Sequence, residues 1–141
     1  MGESVIRVVA AVIADGERLL VCQRPLDKRH GGLWEFPGGK CEQGESDADA
    51  ARRELREELG VDVTYVGMAE VTILDPGSRF EIAFVPVSIS GIPECHEHIA
   101  LSWGKPNELA QLPLAPSDRR FIEARLMVSE SSSRPSAPKD D

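Results

Sequence analysis

Residues 38–61 read GGKCEQGESDADAARRELREELGV. The spacing predicts a helix capped by Ser46 and stopped by Gly60, with Glu54, Glu57 and Glu58 crowded into its last turns. Carboxylates are unfavourable there, because the C-terminal end of a helix carries partial negative charge. Like charges three and four residues apart also repel, by a few tenths of a kcal/mol per pair. Helix stability therefore does not account for the cluster. A hard divalent cation does, because Mg²⁺ binds oxygen ligands and relieves their repulsion.

At about 100° per residue, Glu54, Glu57 and Glu58 span roughly 100° of the helix circumference. Ala48, Ala51, Leu55 and Leu59 fall on the adjoining arc. One face is thus suited to a sheet, and its neighbour presents carboxylates. Ser46 with Asp49 makes a short capping box, and Asp47 and Asp49 suit the positive helix end. Gly60 suits the left-handed stop. Gly38, Gly39 and Gly44 leave the preceding loop without side chains to block a phosphate or a metal.

Gly39, five residues, Glu45, seven residues, then Arg53-Glu54-Leu55-Arg56-Glu57-Glu58-Leu59-Gly60-Val61 resembles the complete Nudix box. Every fixed position is filled, and a pattern of this length is far more specific than a lone glycine-rich loop. The competing explanation is a surface helix that is merely acidic. WEFPGGK (residues 34–40) is similar to the segment leading into the box in MutT-like members. HEHIALSW (96–103), PNEL (106–109) and QLPLAPSDRRFIEA (111–124) are similar to the C-terminal part of bacterial CTP pyrophosphohydrolases of that group. Cys41 departs from the aliphatic residue usual there, but a thiol buries nearly as well.

The resemblance implies the Nudix fold, an α/β/α sandwich with a mixed central sheet. It implies Mg²⁺, or Mn²⁺ in its place, held by Glu54, Glu57 and Glu58 with the Gly38 carbonyl and Glu97. Glu54 is the first candidate to take a proton from the attacking water, and Glu97 the second. Arg53 orients the carboxylates and the loop, Glu45 braces the loop, and Gly39 and Gly60 serve as its structural glycines. Arg24 is by default a surface cation, and the resemblance places it near the nucleotide. Trp34 and Phe36 alternate on a short strand, with core packing and base contact both open; Phe36 is taken as a substrate contact. Lys40 is a phosphate contact or a loop charge. Asp118 reads the base or caps a helix. An ionised carboxylate only accepts hydrogen bonds, which favours an amino edge such as that of cytosine.

The rest of the chain bounds these expectations. A length of 141 residues predicts one domain with a real core, over residues 1–128. Residues 129–141 (SESSSRPSAPKDD) read as a disordered Ser/Pro-rich tail. A net charge of −8 argues against a broad phosphate-backbone surface, and so against long nucleic acid, but not against a small nucleotide. There is no membrane-spanning run and no signal-peptide pattern. Cys22, Cys41 and Cys95 form no zinc spacing, which fits free thiols in a reducing cytoplasm.

Residues 5–14 and 18–23 read as a hairpin around Asp15-Gly16, and 27–32 as a polar loop with His30 in solvent. Residues 61–74 hold a strand or two. Residues 80–90 form a strand that Pro86 marks as an edge or a bulge. A short strand ends at Trp103, a short helix or turn covers 107–112, and an amphipathic helix covers 114–128 with Ser117 as its cap. Three functions compete. The first is a monomeric or homodimeric pyrophosphohydrolase of free nucleotides, with cytidine or oxidised and methylated pyrimidine triphosphates ahead of 8-oxo-dGTP. The second is a non-catalytic nucleotide sensor, and the third is a hydrolase of RNA 5′ ends or dinucleotides.

Overall fold

In the computed structural model, which describes residues 4–133 with side chains to 128, β1 (Ile6–Asp15) runs through the centre. Val9, Ala10, Ala11, Val12 and Ile13 are buried in succession, so both faces of this strand are covered. The alternation sorts them. Val9, Ala11 and Ile13 point to one core with Leu20, Val85 and the helical Ala51, Leu55 and Leu59. Ala10 and Val12 point to the other, with Val21, Phe84, Phe121 and Ile122. Helix α1 (Asp47–Leu59) covers the first face. Helices α2 (Pro106–Leu109) and α3 (Pro116–Ser133) cover the second. This is the α/β/α sandwich, and its sheet is mixed.

β1 pairs in parallel with β7 (Phe80–Ser90), from Ile6↔Phe80 to Ile13↔Val87. The other edge of β1 is shared. Its end forms a hairpin with β2 (Arg18–Gln23) through Ala14↔Leu19 and Asp15↔Arg18. Below that the two strands splay. β3 (Trp34–Glu35) pairs with β2, and β4 (Gly38–Lys40) pairs with β1. The chain crosses the gap at Phe36-Pro37, where the Pro37 carbonyl accepts from Ala11 N at 2.7 Å. β8 (Ala100–Gly104) lies on the far edge of β2. β5 (Asp62–Val66) and β6 (Val71–Leu74) share the outer edge of β7.

Three expectations need correction. Pro86 is not on an edge strand, since β7 is flanked on both sides. It falls where β5 pairing ends at Val66↔Val87 and β6 pairing begins at Val71↔Phe84. Its carbonyl accepts from Gly67 N at 2.8 Å, and no partner there asks for the missing N–H. Ser117 does not cap α3. It is the second residue of that helix, buried, and its hydroxyl donates to Asp75 Oδ1 at 2.6 Å. Finally, the backbone of α3 runs past the expected boundary at Val128 to Ser133. Extending a helix already anchored by Phe121 and Ile122 costs little per residue. The remainder of the expected tail, 134–141, lies outside the described residues.

The crossing requires glycine at one place. Gly38 has φ 149°, and a Cβ there would lie 1.9 Å from the Val9 carbonyl oxygen. G38A is expected to lower the unfolding free energy by about 3 kcal/mol, from strain plus the clash with β1. G16A, at a hairpin glycine with open space around it, is expected to cost only about 1–2 kcal/mol. Urea unfolding of both variants checks this, and equal losses would contradict it.

Candidate active site

Helix α1 is built as its sequence predicts. The Ser46 hydroxyl accepts from Asp49 N at 3.1 Å, and Gly60 takes the left-handed conformation with φ 69°. The final carbonyls of the helix do not face water alone. Glu58 O accepts from His96 N at 3.0 Å, and Leu59 O accepts from Glu94 N at 3.0 Å. Residues 94–98 are thereby strapped across the helix end, which brings Glu97 and His98 beside Glu58.

Arg53 ties the loop to the helix. Its Nε and Nη2 donate to the two Glu45 oxygens at 2.8 Å each, Nη2 also to Lys40 O at 2.9 Å, and Nη1 to Glu54 Oε2 at 3.0 Å. The guanidinium hydrogen bond, with that from Glu42 N, holds the Glu45 carboxyl down at about 2. Arg53 touches carboxylates and backbone, as a positioning group does. Gly39 lets α1 approach, since a Cβ there would meet the Glu54 carboxylate at 2.4 Å.

Glu58 is the unusual member. It is 5% exposed, and its Oε1 accepts from Gly38 N at 3.2 Å. Burial, then its contact with the Glu54 carboxyl, pushes its pKa up to about 10. Glu57 is exposed and lies 3.7 Å from Arg53 Nη1, and Glu97 is exposed beside Glu58. Among the described residues, no three acidic, histidine or cysteine side chains close into a metal cage. Mg²⁺ does not ask for one: it keeps several waters and takes one or two carboxylates plus substrate phosphates. The donors here are oxygens, and two of the carboxylates are pressed together with one buried. That set fits a hard divalent cation, which would relieve a charge conflict that the protein otherwise relieves by retaining a proton.

Next to the carboxylates is a cleft of about 360 Å³. Arg24, Phe36, Lys40 and Asp118 all line it, with Gly38 at the boundary of the two regions. Arg24 is clamped by Glu35, with Nη1 at 3.1 Å from both oxygens, and its Nε donates to Arg29 O at 2.6 Å. Phe36 is 3% exposed and meets Phe84 and Phe121 edge-on at 5.9 and 5.4 Å, so its ring is chiefly core. Trp34 also packs partly into this core. Lys40 Nζ sits 5.3 Å from the Phe80 ring centre, at the cleft wall. Asp118 is buried in the first turn of α3, and its Oδ2 accepts from Phe36 N at 2.9 Å. Burial, reinforced by Glu35 and Asp75, pushes its pKa up to about 8. That shift favours the protonated form, in which a carboxyl can donate as well as accept.

Sequence reasoning passed over several residues. His30 is not in solvent: it is half-buried at φ 58°, lines the cleft, and its Nε2 has no partner. Asp75 is buried in the cleft wall against Ser117. Glu35 and His98 bond each other across the site at 2.9 Å. The signal for Glu35 was present: it is an acidic residue between two aromatics on a strand.

A NUDIX domain model matches residues 5–124. The chain is 43% identical over 122 residues to the CTP pyrophosphohydrolase of Escherichia coli strain K12, covering 84% of this chain and 90% of that one. It is 38% identical over 90 residues to an 8-oxo-dGTP diphosphatase of Proteus vulgaris, covering 62% and 80%. The solution structure of the E. coli ORF135 protein superposes with a TM-score of 0.75 at 39% identity, covering 95% of this chain and 96% of that one.

The buried carboxyl gives a pH prediction. Between its ordinary value of 4.5 and about 10, Glu58 keeps a proton when folded that the unfolded chain releases. Its contribution to stability therefore falls as pH rises through that window. E58Q has no proton to lose, so its melting temperature should gain on the wild type steadily from pH 5 to pH 9. Added Mg²⁺ should stabilise the wild type and leave E58Q nearly unmoved. Calorimetry at several pH values checks both; a constant difference, or equal Mg²⁺ shifts, would contradict the assignment.

Proposed function

The chain belongs to the Nudix family, and on that premise we propose that it hydrolyses a pyrimidine nucleoside triphosphate to the monophosphate and pyrophosphate. CTP, dCTP and their oxidised or methylated forms are the preferred substrates. The observation carrying this reading is the adjacency of two hollows. The cleft lined by the buried Asp118 carboxyl shares Arg24, Glu35 and Gly38 with the hollow lined by Glu58 and Glu97. The likeness to a CTP pyrophosphohydrolase over most of both chains supports the choice of base.

In this reading Asp118 meets the base. Cytosine offers an acceptor ring nitrogen beside a donor amino group, and a carboxyl holding a proton offers the complementary pair. Phe36 closes the floor, and Lys40 and Arg24 bring positive charge to the phosphates. Glu54, Glu57 and Glu58, with Glu97 and the Gly38 carbonyl, would hold Mg²⁺, or Mn²⁺ in its stead. When bound, the ion neutralises polyphosphate charge and lowers the pKa of water. Glu54, oriented by Arg53, or Glu97 takes the proton of the attacking water. A purine specificity is the second reading, favoured by the likeness to an 8-oxo-dGTP diphosphatase, because a protonated carboxyl also complements an oxidised guanine edge.

A panel of CTP, dCTP, 5-methyl-dCTP, 8-oxo-dGTP, a dinucleoside polyphosphate and 5′-triphosphorylated RNA with Mg²⁺ tests this. Pyrophosphate release with kcat/KM highest on a cytidine substrate is expected. Phosphate release, or a preference for RNA, would contradict it. D118A should lower kcat/KM for the preferred base by about 10- to 100-fold while leaving the product unchanged. E57Q, at an exposed position that leaves the core intact, should lower turnover by about 100-fold or more.

A further inference from the structure

His98 is buried, with 6% of its side chain exposed, between the nucleotide cleft and the carboxylates. Its Nε2 lies 2.9 Å from Glu35 Oε2. Its Nδ1 is buried without a partner and points towards Glu58 Oε1, 4.0 Å away. Glu35 is held by both oxygens on the Arg24 guanidinium, which keeps it an acceptor. The imidazole nitrogen facing it must therefore carry the hydrogen. In the neutral ring this leaves Nδ1 as a lone pair, and the bond to Glu35 fixes which nitrogen faces Glu58.

The ring is not free to turn away. His96 N is bonded to Glu58 O at 3.0 Å, and Ile99 N to Gln23 O at 2.9 Å, so the backbone is pinned on both sides of His98. A separation of 4.0 Å is too long for a direct hydrogen bond and suits one shared water. A hollow of about 220 Å³ lined by Lys28, Gly38, Glu58, Glu97 and His98 adjoins the pair.

We propose that His98 is a positioning residue for the hydrolytic water: its Nδ1 accepts a hydrogen bond from a water seated against Glu58, and Glu35 holds it in the tautomer able to do so. The inference rests on the function proposed above. It adds a mechanical link, because the group that clamps Arg24 at the nucleotide also sets the acceptor at the water.

Two measurements test it. Nitrogen-15 NMR of the wild-type imidazoles, with H98N assigning the signal, should show Nε2 protonated and Nδ1 unprotonated at pH 8. Addition of Mg²⁺ should move Nδ1 towards a hydrogen-bonded shift. A protonated Nδ1, or one indifferent to Mg²⁺, would overturn the proposal without reference to turnover. In kinetics, H98F keeps a ring of similar size and loses both nitrogens. It should lower kcat by about 10- to 100-fold with KM and Mn²⁺ affinity, read by electron paramagnetic resonance, within about threefold of wild type. H98N, whose side-chain oxygen occupies the Nδ1 position, should recover part of the rate. An H98F variant with wild-type kcat, or a loss lying wholly in Mn²⁺ affinity, overturns the role. A wild-type protein inert towards every triphosphate overturns the function beneath it.

Discussion

A carboxyl is buried at the end of helix α1, against another carboxyl, and the rest of the site is arranged around that conflict. Glu58 accepts from Gly38 N and touches Glu54, so it links the helix to the strand that crosses the splayed β1–β2 pair. An unpaired charge at 5% exposure is not sustainable, so the group either keeps a proton or finds a cation. The fold holds the two carboxylates together where either answer is open. Arg53 and Glu45 fix the loop from below, and residues 94–98 fix the helix end from above. A gain in stability from separating the carboxylates would come at the site's expense.

The sheet makes such a site reachable. β1 and β2 begin as a hairpin and then part, and β3 and β4 fill the opening from a single stretch of chain. That stretch carries Glu35, Phe36 and Gly38 in sequence. Glu35 faces Arg24 and His98, Phe36 enters the aromatic core, and Gly38 meets Glu58. The Arg24 and His98 contacts, the aromatic core and the link to Glu58 are thus organised by nearby residues on one short crossing. Its tolerance for change is low because Gly38 has no room for a side chain.

Much of this was legible in local patterns. Residues 38–61 announced the capped helix, its left-handed stop and the carboxylate cluster, because capping and periodicity are local properties. The boundaries of β2 and β7 followed from alternation and turn residues in the same way. What escaped depends on distant partners. Pro86 looks like an edge residue until two separate strands are seen to leave a gap beside it. Ser117 looks like a cap until Asp75, far away in the chain, takes its hydroxyl. Asp118 looks like an exposed helix-start carboxylate until its burial against Phe36, which raises its pKa, is seen. His98 is an ordinary loop histidine in the sequence, and only the strap across α1 reveals that it faces Glu58.

The central claim is that the Glu54–Glu58 pair is a cation site serving a polyphosphate. Anomalous diffraction from crystals grown with Mn²⁺ and a non-hydrolysable cytidine triphosphate analogue addresses it directly. The account predicts an anomalous peak about 2.0–2.3 Å from carboxylate oxygens of this pair, bridging to phosphate oxygens in the cleft. A nucleotide seated in the cleft with Glu54 and Glu58 still in contact, and no anomalous peak beside them, would contradict it.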